Sequence, residues 1–380
     1  MLYQIGIRRQ AVVRTARRGR VPQARGEGRT GGSRRTRVTL TVEAVPFPGF
    51  AALGTLWRAL EARGDPAFFQ SWTWMGCLAE ERFPAPVLLR ATAADGTLAG
   101  LALFNRRDDA LWLGASGDAA LDAPYVEHNA PLMAAGADPA PLLAAAWQVA
   151  GVRRLGLPGV PARLAAAAGG VPLREQPEPA PWIDLDAVRQ AGGDYLATRS
   201  ANTRQQLRRS LRLYPGLVLE EATGTAQALD WLDALIALHQ ADWQRRGKPG
   251  AFAPPFMRRF HAELIARALP RGEVALLRAV SGGRAIGYLY SFLLGGRVFA
   301  YQSGLDQAGA GAQDRPGLVL HLLAIQRALE QGMRSYDFLA GAARYKTSLA
   351  NAESRLVWTE RVRPWSLAGI GARLRAMVRR

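Results

Sequence analysis

Two segments of this 380-residue chain read alike at an offset of 188 residues. Leu88–Phe104 (LLRATAADGTLAGLALF) and Leu276–Phe292 (LLRAVSGGRAIGYLYSF) both begin LLRA, pass a glycine-containing turn, reach a second glycine and end on phenylalanine. Apolar runs bounded by Asp-Gly and Gly-Gly read as strands joined by tight turns. The likeness continues downstream. ALWLGASGD (Ala110–Asp118) stands where VFAYQSGLD (Val298–Asp306) stands. A helical run at Pro141–Ala150 is matched at Leu318–Gln331, and GVRRLGLPG (Gly151–Gly159) is matched by GMRSYDFLAG (Gly332–Gly341). Four correspondences in the same order predict a duplicated unit of meander, connection, helix and closing strand. The expectation is an α+β chain of two tandem domains, residues 41–180 and 181–363, each long enough to bury its own core.

Charge gathers outside this body. Residues 1–40 hold 11 Arg and one Glu, and residues 361–380 hold six Arg and no acid, so a net charge of +18 falls to +2 over residues 41–360. Basic ends on a nearly neutral body do not make a sequence-reading nucleic-acid binder. Residues 1–37 have almost no large apolar side chains after Val21 and are expected to be a disordered basic tail. In residues 364–380, Leu367, Ile370, Leu374 and Met377 recur at helical spacing among Arg373, Arg375, Arg379 and Arg380. That pattern suits an anionic membrane surface or docking on the body. No apolar run approaches the roughly 18 residues of a membrane helix, and no apolar core precedes a cleavage site at the N-terminus. The expected location is cytoplasmic, with peripheral membrane contact allowed. The single Cys77 cannot close an internal disulfide, and His128, His239, His261 and His321 show no metal-ligand spacing, so no metal is expected. His128, in DAPYVEHNAP, reads as an ordinary surface histidine.

The copies diverge where chemistry would lie. Gly156 in the first stands against Asp337 in the second, and Pro161–Leu164 against Ala343–Lys346. Gly156 is therefore expected to accept alanine without a kinetic effect. Asp337 ends a buried-looking strand, where a carboxylate is costly unless paired or facing a cleft. It reads either as a general base or substrate-orienting group, or as a structural partner of a loop or of Lys346. The chain has 47 arginines and only two lysines, Lys248 and Lys346. A lysine at 346 suits a place that wants a compact ammonium rather than a planar fork. Before the second helix, Gln313-Asp314-Arg315-Pro316-Gly317 puts proline where a missing N–H costs nothing and glycine where backbone can be approached. The stretch Asn202–Arg212 sets Arg204, Arg208 and Arg212 on one helical stripe, either a solvated face or a platform for an acidic glycan, a phosphorylated carrier or tRNA. His239 and Trp243, one turn apart, read as core packing or as an aromatic wall of an acceptor cleft.

The element order of the second copy resembles the GNAT acyltransferase superfamily. DFLAG-x-x-x-YK at 337–346, with Tyr195–Leu213 and Arg315–Gly332, resembles the CelD/BcsL acetyltransferase family, associated with bacterial cellulose and exopolysaccharide production. That family is similar to the Fem-type aminoacyltransferases, which also pair two GNAT-like domains. The resemblance spans about residues 45–363 and is densest over 195–346. It implies an acyl-CoA co-substrate, acetyl-CoA or a longer one, with its pyrophosphate at Arg315, Pro316, Gly317 and Leu318, though Asp314 departs from the small polar residue usual there. It implies Asp337, Tyr345 and Lys346 as catalytic residues, Tyr345 returning a proton to the departing thiolate. Asn202, Arg204, Arg208, His239 and Trp243 become candidates for holding a small-molecule or glycan acceptor, and the first domain reads as a non-catalytic scaffold or a substrate platform. Two alternatives stay open. One is a Fem-like tRNA-dependent aminoacyltransferase, although the coiled-coil arm common in that family has no heptad stretch here. The other is a non-catalytic glycan-binding partner of an exopolysaccharide complex.

Overall fold

The computed structural model describes residues 40–118, 126–307 and 314–378, with side chains as far as residue 374. The expectation for residues 1–37 lies outside these, as do residues 309–313 of the connection before the second helix. Residues 38–380 form one compact unit.

Its first half runs β1 (Leu40–Val45), α1 (Phe50–Glu61), a 3-10 turn at Phe68–Gln70, α2 (Trp72–Arg82), β2 (Pro86–Ala93), β3 (Leu98–Arg107) and β4 (Ala110–Leu113). There follow β5 (Leu132–Met133), α3 (Ala140–Ala146), β6 (Arg154–Pro161), α4 (Ala162–Ala167) and β7 (Val171–Asp184). The second half opens with α5 (Leu185–Gln190), α6 (Ala201–Arg212), β8 (Val218–Glu221), α7 (Thr225–Arg245) and α8 (Pro255–Ala268). It continues with a meander of β9 (Val274–Ser281), β10 (Arg284–Leu294) and β11 (Arg297–Leu305). After it come α9 (Pro316–Glu330), β12 (Ser335–Asp337), α10 (Arg344–Leu349), β13 (Ala352–Val362) and α11 (Leu367–Val378).

The strands make one mixed sheet in the order β1-β2-β3-β4-β6-β13-β7-β12-β11-β10-β9-β8, with β5 on β3. Among the described strands only two neighbouring pairs are parallel, β4 with β6 and β11 with β12. The closing strands change places. The second half's β13 lies between β6 and β7, while the first half's β7 reaches β12 through Trp182–Asp184. The expected division between residues 180 and 181 therefore runs inside β7, a strand belonging to both halves of the sheet.

The repeat noted in the sequence is visible as matched register. β4 and β6 pair Trp112 with Gly156, and β11 and β12 pair Phe299 with Asp337, so Gly156 and Asp337 are structural counterparts. The pairing makes Ala110 equivalent to Arg297, one residue away from the alignment the letters suggest. The duplicated LL pair alternates across the sheet as a period of two demands. Leu88 and Leu276 enter a core that also holds Trp74, Leu235 and Phe260, while Leu89 and Leu277 enter two separate cores on the opposite face. That shared core joins the halves. Phe68 stacks on Phe292 with centroids 4.3 Å apart, Trp74 meets Phe292 at 5.6 Å, and the Thr73 hydroxyl donates to buried Glu273.

Candidate active site

Parallel strands held by a helical crossover need not stay paired, and β11 and β12 do not. Their ladder lasts three residues and ends at Phe299 opposite Asp337. β11 runs on along β10 to Leu305, whereas the chain after Asp337 turns to β7, with Phe338 N–H donating to Pro181 O and Gly341 N–H to Pro179 O. The two strands part immediately beyond Asp337. The start of α9 lies beside the far end of β11, since a Cβ on Gly317 would come within 3.0 Å of Leu305 Cδ1.

The first half parts in the same way and then fills the gap with its own chain. Asn129, fully buried, donates from Nδ2 to Leu113 O of β4 (2.8 Å) and Pro158 O of β6 (3.0 Å), and its N–H donates to Gly159 O. Gly159, at φ +64°, sits so close to this segment that a Cβ would lie 2.0 Å from Val126 O. β5 then takes the edge of β3 that β4 has left. The plug has a second consequence, because Glu127 and His128 project from it to the second half.

Four ionisable groups meet there. His128 Nε2 lies 3.0 Å from Asp337 Oδ2, a charge contact not aligned as a hydrogen bond. The other Asp337 oxygen, Oδ1, accepts the Leu339 N–H at 2.7 Å. Glu127 accepts the Ala340 N–H, and Lys346 Nζ donates to Leu339 O (3.2 Å) and Ala340 O (2.7 Å). Burial pushes the Glu127 carboxyl up to about 7, opposed by the Ala340 N–H and the charges of Lys346 and His128, and reinforced by Asp337. Burial would lower the His128 imidazole, but Asp337 and Glu127 together outweigh it and raise it above its ordinary value. Burial lowers the Lys346 ammonium from its usual range, with Glu127 and Asp337 opposing. The backbone is strained at the same place. Of the four described non-glycine residues with left-handed φ (Asp108, His128, Arg315 and Leu339), three belong to the site or the start of α9.

Next to this cluster stands an aromatic group. Tyr345, on α10, stacks on His321 of α9 with centroids 5.4 Å apart. Tyr336 Oη lies 2.8 Å from His321 Nδ1. Burial pushes His321 down to about 3 and Tyr336 well above the normal phenol range, so the bond joins a neutral imidazole to a neutral phenol. Tyr345 keeps 38% of its surface exposed, while burial of the rest pushes its phenol up to about 12.

The structure brings together Asp337, Tyr345 and Lys346, and sets Arg315, Pro316, Gly317 and Leu318 at the first turn of α9, where Leu318 N–H already donates to Arg315 O. Two expectations change. Lys346 forms no ion pair with Asp337 among the described residues; its ammonium is spent on the carbonyls of the strained 339–340 turn. His128 is no surface histidine, because the plug that carries it is anchored by Asn129 in the gap between β4 and β6. Among the described residues the other candidates make their contacts away from this cluster. Asn202 and Arg208 are exposed on α6, while Arg204 is partly turned inward and donates to Ala197 O and Arg199 O. His239 accepts the Ala251 N–H at Nε2 and so donates from Nδ1 to Ser303 O (3.1 Å), which ties α7 to β11 and occupies both ring nitrogens. Trp243 packs beside it and under Lys248. Glu127 and His128 had only the adjacent letters EHN as a signal. Among the described residues no group of three or more His, Cys, Asp or Glu could hold a metal ion, and no helix is long and apolar enough to cross a membrane.

Residues 199–347, which contain α6 through most of α10, match the family model described as the acetyltransferase (GNAT) domain. No curated protein sequence matches the chain. Solved structures share the fold at low identity. FemX aligns with TM-score 0.55 at 10% identity, covering 83% of this chain and 97% of its own. The C-terminal domain of a protein described as a lysylphosphatidylglycerol synthetase, from Agrobacterium fabrum, aligns with TM-score 0.53 at 15% identity, covering 87% and 97%. L-PGS from Bacillus licheniformis aligns with TM-score 0.50 at 14% identity, covering 85% and 96%. The fold is a mixed α/β, GNAT-like one built on a single large mixed sheet.

Proposed function

We propose that the chain transfers an acyl group from a coenzyme A thioester to an amine or hydroxyl acceptor, at the point where β11 and β12 part. The observation that carries this reading is the meeting of Glu127 and His128 from the first half with Asp337 from the second, at the open end of the parallel pair. The donor's place fits the chain. The first turn of α9 has no acidic residue, Pro316 has no N–H to lose, and a helix start favours an anion. Arg315 and the Gly317 backbone would hold the phosphates there, the Leu318 N–H being already bonded to Arg315 O. A bound acyl-CoA supplies an activated acyl carbon and a thiolate leaving group.

The remaining chemistry belongs to the side chains. Asp337, with His128 beside it, takes the proton of the acceptor N–H or O–H. Glu127, titrating near 7, is a second group able to hold that proton at neutral pH. Tyr345, still protonated at neutral pH, is the phenol that can give a proton to a leaving thiolate. Lys346 acts as a positioning residue through its bonds to Leu339 O and Ala340 O. The CelD/BcsL resemblance guides the choice of acceptor toward a glycan of the cell envelope or an exopolysaccharide, handled in the cytoplasm. The exposed Asn202 and Arg208 of α6 then form an outer contact for an acidic glycan. The second reading, an aminoacyl group delivered on tRNA, is separated by the same test.

Calorimetric titration with acetyl-CoA, longer acyl-CoAs and free CoA should show binding, and Asp337→Asn should keep it. Turnover with a panel of amine and hydroxyl acceptors should fall about 10²–10⁴-fold in Asp337→Asn. Lack of CoA binding at saturating concentration, with binding of charged tRNA instead, would move the assignment to the second reading.

A further inference from the structure

We infer that α11 is a docking face for an anionic lipid surface. A helix lying on a protein normally turns its large apolar residues inward, and α11 does the reverse. Among its described positions, residues 367–374, the buried ones are the small Gly369 and Ala372, and the helix packs against β7. Turned to solvent are Leu367 (92% exposed), Leu374 (59%) and Ile370 (44%), preceded by Trp365 at 82%. These four are half of the large hydrophobic side chains exposed among the described residues, gathered within ten positions of sequence.

The charges of this segment are of one sign. Residues 361–380 carry six arginines and no acid. Arg361 is turned inward to the carbonyls of Gly169 and Gly170 and faces Glu175, so the nearby acid on β7 is matched. Arg363 is spent on Val152 O and Trp147 O. Arg373 is exposed and lies over the Trp365 ring at 4.9 Å. A tryptophan, a leucine-isoleucine row and the exposed Arg373 form the pattern of a helix lying in a membrane interface, the indole and aliphatic chains entering the acyl boundary while the guanidinium meets headgroup phosphates. A second copy of the chain fits less well, because pairing α11 with itself would set arginine against arginine.

The test uses the full chain and two sets of vesicles, phosphatidylcholine alone and phosphatidylcholine with phosphatidylglycerol. The arginines of residues 1–37 can themselves attract anionic vesicles, so the informative protein is Leu367→Ser/Ile370→Ser/Leu374→Ser, which keeps every charge. We expect wild type to co-sediment with the phosphatidylglycerol vesicles and not with phosphatidylcholine alone. The serine variant should lose at least about tenfold in affinity, with an unchanged melting curve because all three side chains are exposed. Arg373→Glu should weaken binding as well. Equal vesicle binding by wild type and the serine variant would overturn the inference, since charge alone would then explain it. So would a wild type that ignores both vesicles, or that forms a dimer lost in the serine variant.

Discussion

Gly156 lies opposite Trp112 in the first half as Asp337 lies opposite Phe299 in the second. The same register position holds a carboxylate in one copy and no side chain in the other. The reason lies in the neighbour, since a Cβ on Gly156 would fall 2.1–2.5 Å from the Trp112 ring, which covers the glycine closely. Alanine at Gly156, expected to leave turnover unchanged, therefore carries a cost in packing. Gly156→Ala should destabilise the protein by about 1–3 kcal/mol through overpacking. A urea or thermal unfolding curve measures it, and Gly156→Ala combined with Trp112→Leu should regain part of the loss. An unchanged midpoint in the single variant would mean that the indole has room to move.

Lys346 offers the clearest separation of positioning from catalysis. Its ammonium satisfies two carbonyls of a turn in which Leu339 takes φ +61°, and it compensates the buried Glu127 and Asp337. Lys346→Met should leave those carbonyls unsatisfied and cost roughly 1–3 kcal/mol of stability. It should also push the Glu127 carboxyl above the value near 7 that it holds with lysine present. Glu127 is a raised carboxyl, so its contribution to stability is complete below its unfolded value near 4.5 and is lost as pH rises through about 7. Stability of Lys346→Met should accordingly fall more steeply than wild type between about pH 5 and pH 8. Parallel pH profiles of the two proteins would remove the electrostatic half of this account.

Much of this arrangement was legible in the letters, and the illegible part has a physical cause. The LLRA repeats, the glycine turns and the Pro316-Gly317 helix start are local signals, and the structure places a meander and α9 where they stand. The fate of the closing strands is not local. Whether β13 pairs with its own half or lies between β6 and β7 depends on partners about 200 residues away, and its letters satisfy both choices. His128 was missed for the same reason. Nothing near it in sequence announces Asp337, and the link becomes visible only when Asn129 anchors the plug. Lys346 stood out by composition, but its partners are backbone carbonyls, which leave no trace in residue type.

Two histidines set an acid limit on the fold. His261 is fully buried with neither ring nitrogen hydrogen-bonded, among Phe252, Phe260, Tyr290 and Tyr301. Burial pushes it down to about 3, the same value as His321. A histidine lowered on folding supports the native state fully above its unfolded value near 6.5, and that support is lost as pH falls toward 3. At pH 5 the loss amounts to roughly 2 kcal/mol for each histidine. His261→Phe should abolish its share, so that urea midpoints at about pH 7.5 and pH 5 differ less than in wild type. The variant should also be more stable than wild type at pH 5, because an apolar ring suits these neighbours better than two unsatisfied nitrogens. Equal pH sensitivity in the variant would show that the imidazole finds a partner in solution.

Tyr345 remains the residue whose role in turnover can be isolated. Its ring stacks on His321, which is fixed by Tyr336, so a phenylalanine keeps the stack and removes only the hydroxyl. The phenol, pushed up to about 12, stays protonated across neutral pH and is a reluctant donor except to a group forming charge beside it. Tyr345→Phe should therefore bind acyl-CoA as wild type does and melt within about 0.5 kcal/mol of it, as a change on a partly exposed side chain should. Its turnover should fall by roughly 10²–10⁴-fold, the share of one general acid. The deficit should shrink with a donor whose leaving thiol is more acidic, because a stabler thiolate needs its proton less. Steady-state rates with a pair of thioesters differing in thiol acidity measure this directly. A deficit of equal size for both donors would assign the hydroxyl to binding or packing and leave proton return to Glu127 or solvent.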